Sequence, residues 1–274
     1  MILNTGSRTD IPAYFSDWFY KRIEEGYVMV RNPYYPEQVT RYVLNPSVVD
    51  VLVFCTKNPQ PMISRLERLS TYDMFWFVTI TPYGREIEPF VPHKEKVIES
   101  FRQLSEMTGR EKMSWRYDPV FITEKYSVDY HIACFAEMTE KLRGYTGQCV
   151  VSFLDLYEKT KRNFREARGV TRDEQERIIE AFAGIAEANG MQVQKKKTAR
   201  EACSCLLGAD IGVYNTCGHG CLYCYANYDR KSVEENRKRH DVNSPLLIGH
   251  LKETDHVKEA QQKSFKDAQM RLFL

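Results

Sequence analysis

Short apolar segments alternate with amphipathic ones along most of this 274-residue chain, and the alternation restricts the folds that it can adopt. Several apolar segments are continuous runs of β-branched and aromatic residues, which is typical of parallel strands buried on both faces. The predicted strands are residues 2–6, 27–32, 49–57, 74–82, 112–121, 149–156, 191–194 and 210–215. Amphipathic segments separate them, such as residues 171–190, which begin with a capping box from Thr171 to Glu174.

This order of strands and helices predicts an α/β fold built on a parallel sheet. The number of units within residues 1–228 favours a TIM-like (β/α) barrel. An open doubly wound sheet is the alternative, because a single sequence does not show whether a sheet closes. From Asp229 onward the chain becomes charged and loses the strand pattern, so residues 229–274 are expected to form a helical or partly flexible C-terminal tail.

The composition favours a folded enzyme of the cytoplasm. Hydrophobic residues make up 43% of the chain, which argues against disorder. No apolar run approaches the ~18 residues of a membrane span, and the segment MILNTGSRTD has no signal-peptide features, so we expect no membrane partner. Eight cysteines in such a chain are better interpreted as thiols or metal ligands than as disulfides.

Three of these cysteines, Cys217, Cys221 and Cys224, lie on one short loop with C-x₃-C-x₂-C spacing, within residues 216–226, which we call the cysteine loop. Three thiolates suit three irons of a cubane cluster and leave the fourth iron without a protein ligand. A zinc site is the alternative, because zinc also binds Cys and His at short spacings, and His219 lies within the loop. The C-x-C pair Cys203 and Cys205 can add an auxiliary metal site or can be inert buried thiols.

The spacing and the aromatic Tyr223 resemble the CxxxCxΦC motif of radical S-adenosylmethionine (SAM) enzymes. That resemblance implies a [4Fe-4S] cluster, SAM bound at the open iron, and an electron donor such as flavodoxin or ferredoxin. It also implies cleavage of SAM to a 5′-deoxyadenosyl radical that takes hydrogen from a substrate. The CxYCYAN form of the loop is similar to that of spore photoproduct lyase, a DNA-repair member of the family.

The chain as a whole resembles the family known as domain of unknown function 1848. Its members carry a C-terminal DIGxYNTCxHGCxYCYAN block like residues 210–227, and SRTDIP and TKNP segments like Ser7–Pro12 and Thr56–Pro59. In typical radical SAM enzymes the cysteine loop follows the first strand, whereas here it follows the last. We therefore predict a circularly permuted core in which strand 210–215 lies parallel and adjacent to strand 2–6.

Polar side chains at the carboxyl ends of the predicted strands are the candidates for chemistry, because active sites of such barrels lie at that edge. The candidate catalytic residues are Cys55, Arg116, Tyr117 and Asp118. The candidate cofactor-binding residues are Gly6, Ser7, Asp10, Lys57 and Tyr223. Gly6 and Ser7 take the position of the Gly-rich SAM contact, Asp10 or Asp118 would bind a ribose hydroxyl, and Lys57 or Arg116 a carboxylate. Helix caps and salt bridges at the rim are the alternative for each of these polar residues.

Two further features bear on partners. Basic residues concentrate in residues 159–172, 195–200 and 230–240, which suits a phosphate-bearing substrate such as a nucleic acid, although interspersed glutamates also suit ordinary solvated helix faces. The end of the chain, Gln269–Phe273 followed by Leu274, resembles the short peptide by which DNA polymerases and repair proteins bind the sliding clamp. The alternative is that Leu272 and Phe273 pack back onto the domain as a terminal clasp.

Overall fold

The computed structural model describes residues 1–156, 158–195 and 208–266. Seven strands form the main sheet in the order β8-β7-β6-β5-β4-β1-β9, and every neighbouring pair is parallel. These strands are β1 (Ile2–Asn4), β4 (Val51–Thr56), β5 (Met74–Thr79), β6 (Met113–Val120), β7 (Gln148–Phe153), β8 (Gln192–Lys195) and β9 (Ala209–Asp210). The prediction of an α/β fold with a large parallel sheet is confirmed.

The helices follow the strands in chain order. They are α1 (Ile11–Tyr14), α2 (Ser16–Glu25), α3 (Gln60–Ile63), α4 (Lys94–Thr108), α5 (Val128–Leu142), α6 (Glu158–Asn163), α7 (Arg172–Ala188) and α8 (Arg230–Lys238). Two predicted boundaries are confirmed by cap geometry: the Thr171–Glu174 capping box opens α7, and Gly26 with φ of 75° ends α2.

The sheet is wound in one direction. From β4 to β8 each strand lies beside the next in sequence, so right-handed crossovers place the connecting helices on one face. A doubly wound sheet would instead reverse its strand order at a switch point. Pairing between β8 and β9, which a closed barrel would require, is not found among the described residues, so the predicted TIM-like barrel is not confirmed.

Aromatic packing fills the space between the sheet and these helices. Phe54 of β4 stacks on Trp76 of β5 with ring centroids 4.0 Å apart. Phe135 of α5 stacks between Trp115 of β6, at 4.8 Å, and Phe182 of α7, at 3.7 Å. The alternate side chains of the same strands point to the opposite face, which is less buried and carries polar groups.

Strands β9 and β1 are adjacent and parallel, with Leu3 opposite Ala209 and Asn4 opposite Asp210. The predicted neighbourhood of the first and last strands is therefore confirmed, although β9 has only two residues and is shorter than the predicted 210–215. The cysteine loop consequently begins a few residues beyond the edge strand of the sheet.

The prediction that residues 27–32 form a strand of the main sheet is wrong. That segment, β2 (Tyr27–Arg31), pairs antiparallel with β3 (Gln38–Val43), which in turn pairs with β10 (His256–Glu259) in a separate three-stranded sheet. The alternating apolar pattern of β2 suits either sheet, and only its partner decides between them.

Within the described part of the predicted C-terminal tail, residues 229–266, the one helix is α8. Beyond it, residues 240–266 run back along the N-terminal part of the chain, and we call them the C-terminal strap. No helix among the described residues combines the length and apolarity needed to cross a membrane. Tyr157, Cys203, Cys205 and the clamp-like Gln269–Phe273 segment lie outside the described residues.

Candidate functional site

The cysteine loop is closed at its base by backbone and side-chain hydrogen bonds. The Asn215 N–H donates to the Ala226 carbonyl at 3.0 Å, and the Asn227 amide donates to the Cys217 carbonyl at 2.8 Å. Asn215 itself has φ of 58°, a left-handed conformation that Asn tolerates better than most residues. This turn directs the three cysteines back over the end of the sheet.

Gly220, one of the two glycines of the cysteine loop, lies where neither the backbone conformation nor the packing suits a side chain. Its φ is 68°, and a Cβ added there would lie 3.0 Å from the ring of Phe90. The Phe90 N–H donates to the His219 carbonyl at 3.2 Å, and the Leu222 N–H donates to the Ile87 carbonyl at 3.0 Å. The loop thus lies against the segment that follows β5, residues 83–91, which we call the buttress segment.

His219 fixes the loop to the N-terminal part of the chain. It is buried, its Nε2 lies 2.8 Å from the Asp10 carboxylate, and its Nδ1 lies 3.0 Å from the Tyr14 hydroxyl. Both ring nitrogens therefore contact protein groups, and the imidazole shapes the loop through them.

Asp10 is occupied on both carboxylate oxygens. Oδ1 accepts the Ala13 N–H at 3.0 Å and so caps α1, while Oδ2 accepts the Lys57 N–H at 2.8 Å and contacts His219. Two roles were predicted for Asp10, a contact to a ribose hydroxyl or a helix cap. Its side chain is buried and caps α1, which favours the second role. Asp10 links α1, the end of β4 and the cysteine loop.

A buried glutamate in the buttress segment, Glu88, is the centre of the charged groups beneath the loop. Its side chain is 1% exposed. Oε1 accepts hydrogen bonds from Lys57 Nζ at 2.8 Å, from Thr81 Oγ1 at 2.7 Å and from the Tyr223 hydroxyl. Oε2 accepts from Lys94 Nζ. A carboxylate with this many donors, two of them cationic, holds its surroundings in one arrangement.

Glu88 and Lys57 stabilise each other's ionised forms. Burial alone would raise the pKa of the Glu88 carboxyl, but the Lys57 and Lys94 ammonium groups outweigh it and lower that pKa to about 2. Burial alone would lower the pKa of Lys57, but the Glu88 carboxylate and the neighbouring Cys221 raise it. Both groups are therefore ionised at neutral pH.

Tyr223, the aromatic residue of the cysteine motif, is held by this network. Its hydroxyl donates to Glu88, and Lys57 Nζ lies 5.6 Å from its ring centroid. Its ring packs edge-on against Tyr83 at 5.9 Å, within an aromatic group that also contains Phe121. The hydroxyl thus faces charged protein groups, while the ring excludes water from the inner side of the loop.

The three cysteines are reduced and half-buried. Burial raises the pKa of Cys217 well above its ordinary value and that of Cys221 to about 12, although Lys57 lowers the latter. Burial thus disfavours the thiolate forms of Cys217 and Cys221, and a cation at the loop, such as a bound metal, would favour them.

A compact site for one metal ion is not formed by the described residues. No three His, Cys, Asp or Glu side chains in residues 1–156, 158–195 and 208–266 are grouped closely enough to hold one ion. A zinc ion needs its ligands about 2.3 Å from one centre, whereas a cubane takes each thiolate at a different iron and spreads them farther apart. Three thiols on one loop are a donor set that suits such a cluster. Two buried polar atoms at the loop, Asn227 Oδ1 and Arg237 Nη1, also have no hydrogen-bond partner among the described residues.

The remaining candidate residues lie at the ends of the neighbouring strands. Arg116 pairs with Asp118, whose other oxygen accepts from Ser152 on β7. These side chains lie on the face of the sheet opposite the helices. Tyr225 of the cysteine loop reaches toward the strand ends, where its hydroxyl donates to the Ser7 carbonyl.

Gly6 and Cys55 are in contact where β1 and β4 end. A Cβ on Gly6 would lie 2.2 Å from the Cys55 carbonyl oxygen, so only glycine fits. The Gly6 N–H is engaged by Asn4 Oδ1 at 3.0 Å, and the Ser7 carbonyl accepts the Tyr225 hydroxyl. The structure therefore brings Gly6, Ser7 and Cys55 to the cysteine loop, but the role of each with a cofactor stays a prediction.

Tyr117, one of the catalytic candidates, lies apart from the other strand-end candidates. Tyr117 is fully buried on the helix side of β6, where its hydroxyl contacts His131 Nδ1 at 2.8 Å. Its ring packs against Phe135 and Phe182. Side chains of a strand alternate between faces, so Tyr117 points away from the face that carries Arg116 and Asp118.

Glu88 and Lys94 are not among the residues predicted from the sequence. Both lie outside the predicted strand ends, Glu88 in an irregular segment and Lys94 at the start of α4. The one available signal was the isolated acidic residue in the apolar stretch IEPF, because a carboxylate in such a stretch is buried only with a partner.

Comparison with known proteins agrees with the resemblance drawn from the motifs. The family model described as a domain of unknown function (DUF1848) matches residues 2–195 and 192–226, and so includes the main sheet and the cysteine loop. Searches of curated proteins and of solved structures gave no match. With nearly the whole chain matched, this protein belongs to the DUF1848 family.

Proposed function

We propose that this protein is a radical SAM-type enzyme in which Cys217, Cys221 and Cys224 hold a [4Fe-4S] cluster with one iron left open for SAM. The observation that carries the proposal is the placement of three half-buried thiols on one closed loop beside the strand-end residues of a parallel sheet. Active sites of singly wound α/β folds lie at that edge.

When bound, the cluster and SAM would supply a 5′-deoxyadenosyl radical by one-electron reductive cleavage of SAM, with flavodoxin or ferredoxin as the type of electron donor. The protein's own residues position and shield that chemistry. His219 and Asp10 hold the outer part of the loop, and Glu88 holds Tyr223 beneath it. Both contacts keep the loop in one conformation and keep water from its inner side.

A circularly permuted core accounts for the unusual position of the loop. Strand β9 leads into the loop and lies parallel beside β1, the neighbour that a first strand would have in an unpermuted chain. The single direction of winding supports this interpretation, because a permutation changes the order of strands along the chain and not their order in the sheet.

The substrate would bind on the sheet face opposite the helices. Arg116 and Asp118 of β6 form an ion pair there, Ser152 lies on the neighbouring strand β7, and Cys55 lies on β4, two strands away on the other side. Arg116 is suited to hold an anionic or carbonyl group of a substrate, and Asp118 to orient Arg116 or to accept a hydroxyl. Lys57 is already ionised and paired with Glu88, so it sets the local charge rather than binding a carboxylate alone.

Anaerobic reconstitution with iron and sulfide tests this proposal. We expect a brown protein that forms 5′-deoxyadenosine from SAM in the presence of a strong reductant. Replacement of Cys217, Cys221 or Cys224 by Ala should abolish both the visible absorption and SAM cleavage. The matched control Cys134→Ala removes a half-buried thiol from α5 and should retain both, and Cys203→Ala should leave the cluster largely assembled.

Two outcomes contradict the proposal. A colourless protein that binds zinc would favour the alternative of a non-catalytic, zinc-binding protein that interacts with nucleic acid. A full cluster in two of the three single cysteine variants would show that these thiols are not its ligands.

A further inference from the structure

Three large aromatic side chains are exposed on and beside the cysteine loop. Phe90 of the buttress segment is 52% exposed, and Tyr225 and Tyr228, which flank the end of the loop, are 54% and 53% exposed. Single exposed aromatic residues are common on protein surfaces, but three at the rim of one loop form a local feature of the kind that marks binding sites. None of them contributes to the main core.

Arginines lie over two of these rings. The guanidinium of Arg230 is 5.3 Å from the centroid of Phe90, and that of Arg162 is 4.8 Å from the centroid of Tyr228. Arg162 also donates to the Tyr228 hydroxyl at 3.3 Å. The rim of the site therefore consists of alternating aromatic and cationic groups, which we call the aromatic–arginine rim (Phe90, Arg162, Tyr225, Tyr228 and Arg230).

The charge near this rim differs from that of the rest of the chain. Residues 158–166 and 229–240, which contain α6 and α8, carry nine Lys and Arg against five Asp and Glu, while the whole chain has a net charge of +2. The excess of positive charge therefore lies in these two segments and not elsewhere. A partner with negative charge is attracted to this side of the molecule.

We infer that the aromatic–arginine rim binds a single-stranded nucleic acid and leads it to the cysteine loop. Proteins that bind single strands combine aromatic side chains, on which bases stack, with cationic side chains that contact phosphates. Both groups alternate along this rim. Tyr225, the innermost member, donates to the Ser7 carbonyl at the end of β1 and lies near Arg116, so the rim leads onto the proposed substrate face.

A duplex fits this surface less well than a single strand. The rings are half-exposed on a short loop, and stacking on them requires unpaired bases. A single-stranded nucleic acid as the substrate rests on the proposed radical SAM function, whereas its binding to the aromatic–arginine rim does not require a cluster.

Fluorescence anisotropy with a labelled oligonucleotide of about 12 nucleotides tests the inference, since single-strand binding sites commonly span 4–16 nucleotides. The full-length protein is measured with and without its reconstituted cluster, with a DNA strand, an RNA strand and the DNA duplex as probes. We expect salt-dependent binding of a single strand that is tighter than binding of the duplex.

The rim variants Tyr228→Leu and Phe90→Leu keep an apolar side chain but lose the ring, and each should weaken binding by roughly tenfold or more. Arg162→Ala should weaken binding and also reduce the slope of log affinity against log salt by about 0.7, the value for one released counterion on a single strand. Tyr34→Leu and Arg177→Ala remove an exposed ring and an exposed cation elsewhere, and should change nothing.

The outcomes separate this inference from the proposed function. SAM cleavage without oligonucleotide binding, or equal effects of rim and control variants, would overturn the inference and leave the proposed function standing. Rim-dependent binding by a protein that assembles no cluster and cleaves no SAM on reconstitution would support the inference and contradict the proposed function. If the rim variants impair only reduction by an acidic electron-donor protein, the rim is a docking surface for that protein and the inference is wrong.

Discussion

At the scale of single residues, Glu88 determines the charge beneath the cysteine loop. It neutralises Lys57 and Lys94 and holds the Tyr223 hydroxyl, so three elements of the fold depend on one carboxylate. Removing one partner of a buried ion pair costs more than the pair itself contributes, because the remaining charge stays buried without compensation.

The substitution Glu88→Gln keeps the shape of the side chain and removes its charge. We expect the free energy of unfolding to fall by about 3 kcal/mol, and denaturation by urea in the absence of a cluster measures it. The control Glu86→Gln removes a half-exposed carboxylate of the same segment, paired with Lys125, and should have a much smaller effect. Equal stability of the two variants would show that the Glu88 network does not stabilise the fold.

Wild type and Glu88→Gln also give a prediction for how the free energy of unfolding depends on pH. The folded protein lowers the pKa of Glu88 from 4.5 to about 2, so this stabilisation is present above pH 4.5 and is lost as the pH falls toward 2. The stability difference between wild type and Glu88→Gln should therefore be constant near neutral pH and should shrink below 4.5. A difference that grows on acidification would contradict the assigned charge state.

At the scale of secondary-structure elements, the site depends on how closely the ends of neighbouring strands approach. β1 and β4 converge at Gly6, where no side chain fits against Cys55, and Asp10 then ties the following helix α1 to Lys57. The cysteine loop is held between this junction on one side and the buttress segment on the other. The loop conformation is thus a property of its neighbours as much as of its own sequence.

Two glycine substitutions separate crowding from backbone strain. Gly6→Ala places a Cβ within 2.2 Å of the Cys55 carbonyl oxygen, so β1 and β4 must move apart, and we expect a loss of about 3 kcal/mol in the free energy of unfolding. Gly26→Ala has no atom within 4 Å of its new Cβ and a φ of 75°, so it should cost only about 1 kcal/mol of backbone strain. Urea denaturation of both variants measures the difference, and a smaller loss for Gly6→Ala would contradict the contact.

At the scale of the whole molecule, the C-terminal strap ties the two ends of the chain together. The Trp18 indole donates to the Ser244 carbonyl at 2.8 Å, and Gln262 bonds both the Val43 N–H at 2.7 Å and its carbonyl at 2.9 Å. Asp50 accepts the Phe265 N–H at 2.8 Å and the N-terminal amino group at 2.6 Å. The segment after α8 therefore stabilises the N-terminal region.

Shortening the chain tests the strap. A chain that ends at Thr254 loses β10 and the bonds made by Gln262 and Phe265. Each lost hydrogen bond contributes about 1 kcal/mol, and about 1 kcal/mol shifts the melting temperature of a domain this size by ~2–4 °C. We expect the melting temperature to fall by at least about 5 °C relative to a chain that ends at Lys266, and equal melting temperatures would contradict a stabilising strap.

The chain that ends at Lys266 also bears on the clamp-like terminal peptide. If Leu272 and Phe273 form a clasp, their removal lowers the melting temperature; if they bind a sliding clamp, it does not. A peptide of residues 264–274 titrated against a bacterial sliding clamp measures the second possibility directly, with Leu272→Ala and Phe273→Ala as the control. Absence of binding at high micromolar concentration would remove this support for a DNA substrate.

Some of the site was predictable because its signals are local. The spacing of Cys217, Cys221 and Cys224 brings three thiols onto one loop whatever the rest of the fold does. The placement of Tyr117 was also accessible: Trp115 and Tyr117 alternate with Arg116 and Asp118, and this period of two already separates an apolar face from a polar one. Glu88 was not accessible, because an irregular segment has no periodicity from which a partner can be inferred.

The amino-acid sequence by itself determined the parallel α/β architecture, the cysteine loop and its position after the last strand of the main sheet, since these depend on residues close in the chain. Only the tertiary structure decided the order of the strands with β8 and β9 at the edges of the described sheet, the pairing of β2 outside it, and the contacts of Glu88 with Lys57, Lys94 and Tyr223. These outcomes arise from contacts between residues far apart in sequence, where several partners have similar local preferences and packing selects one of them.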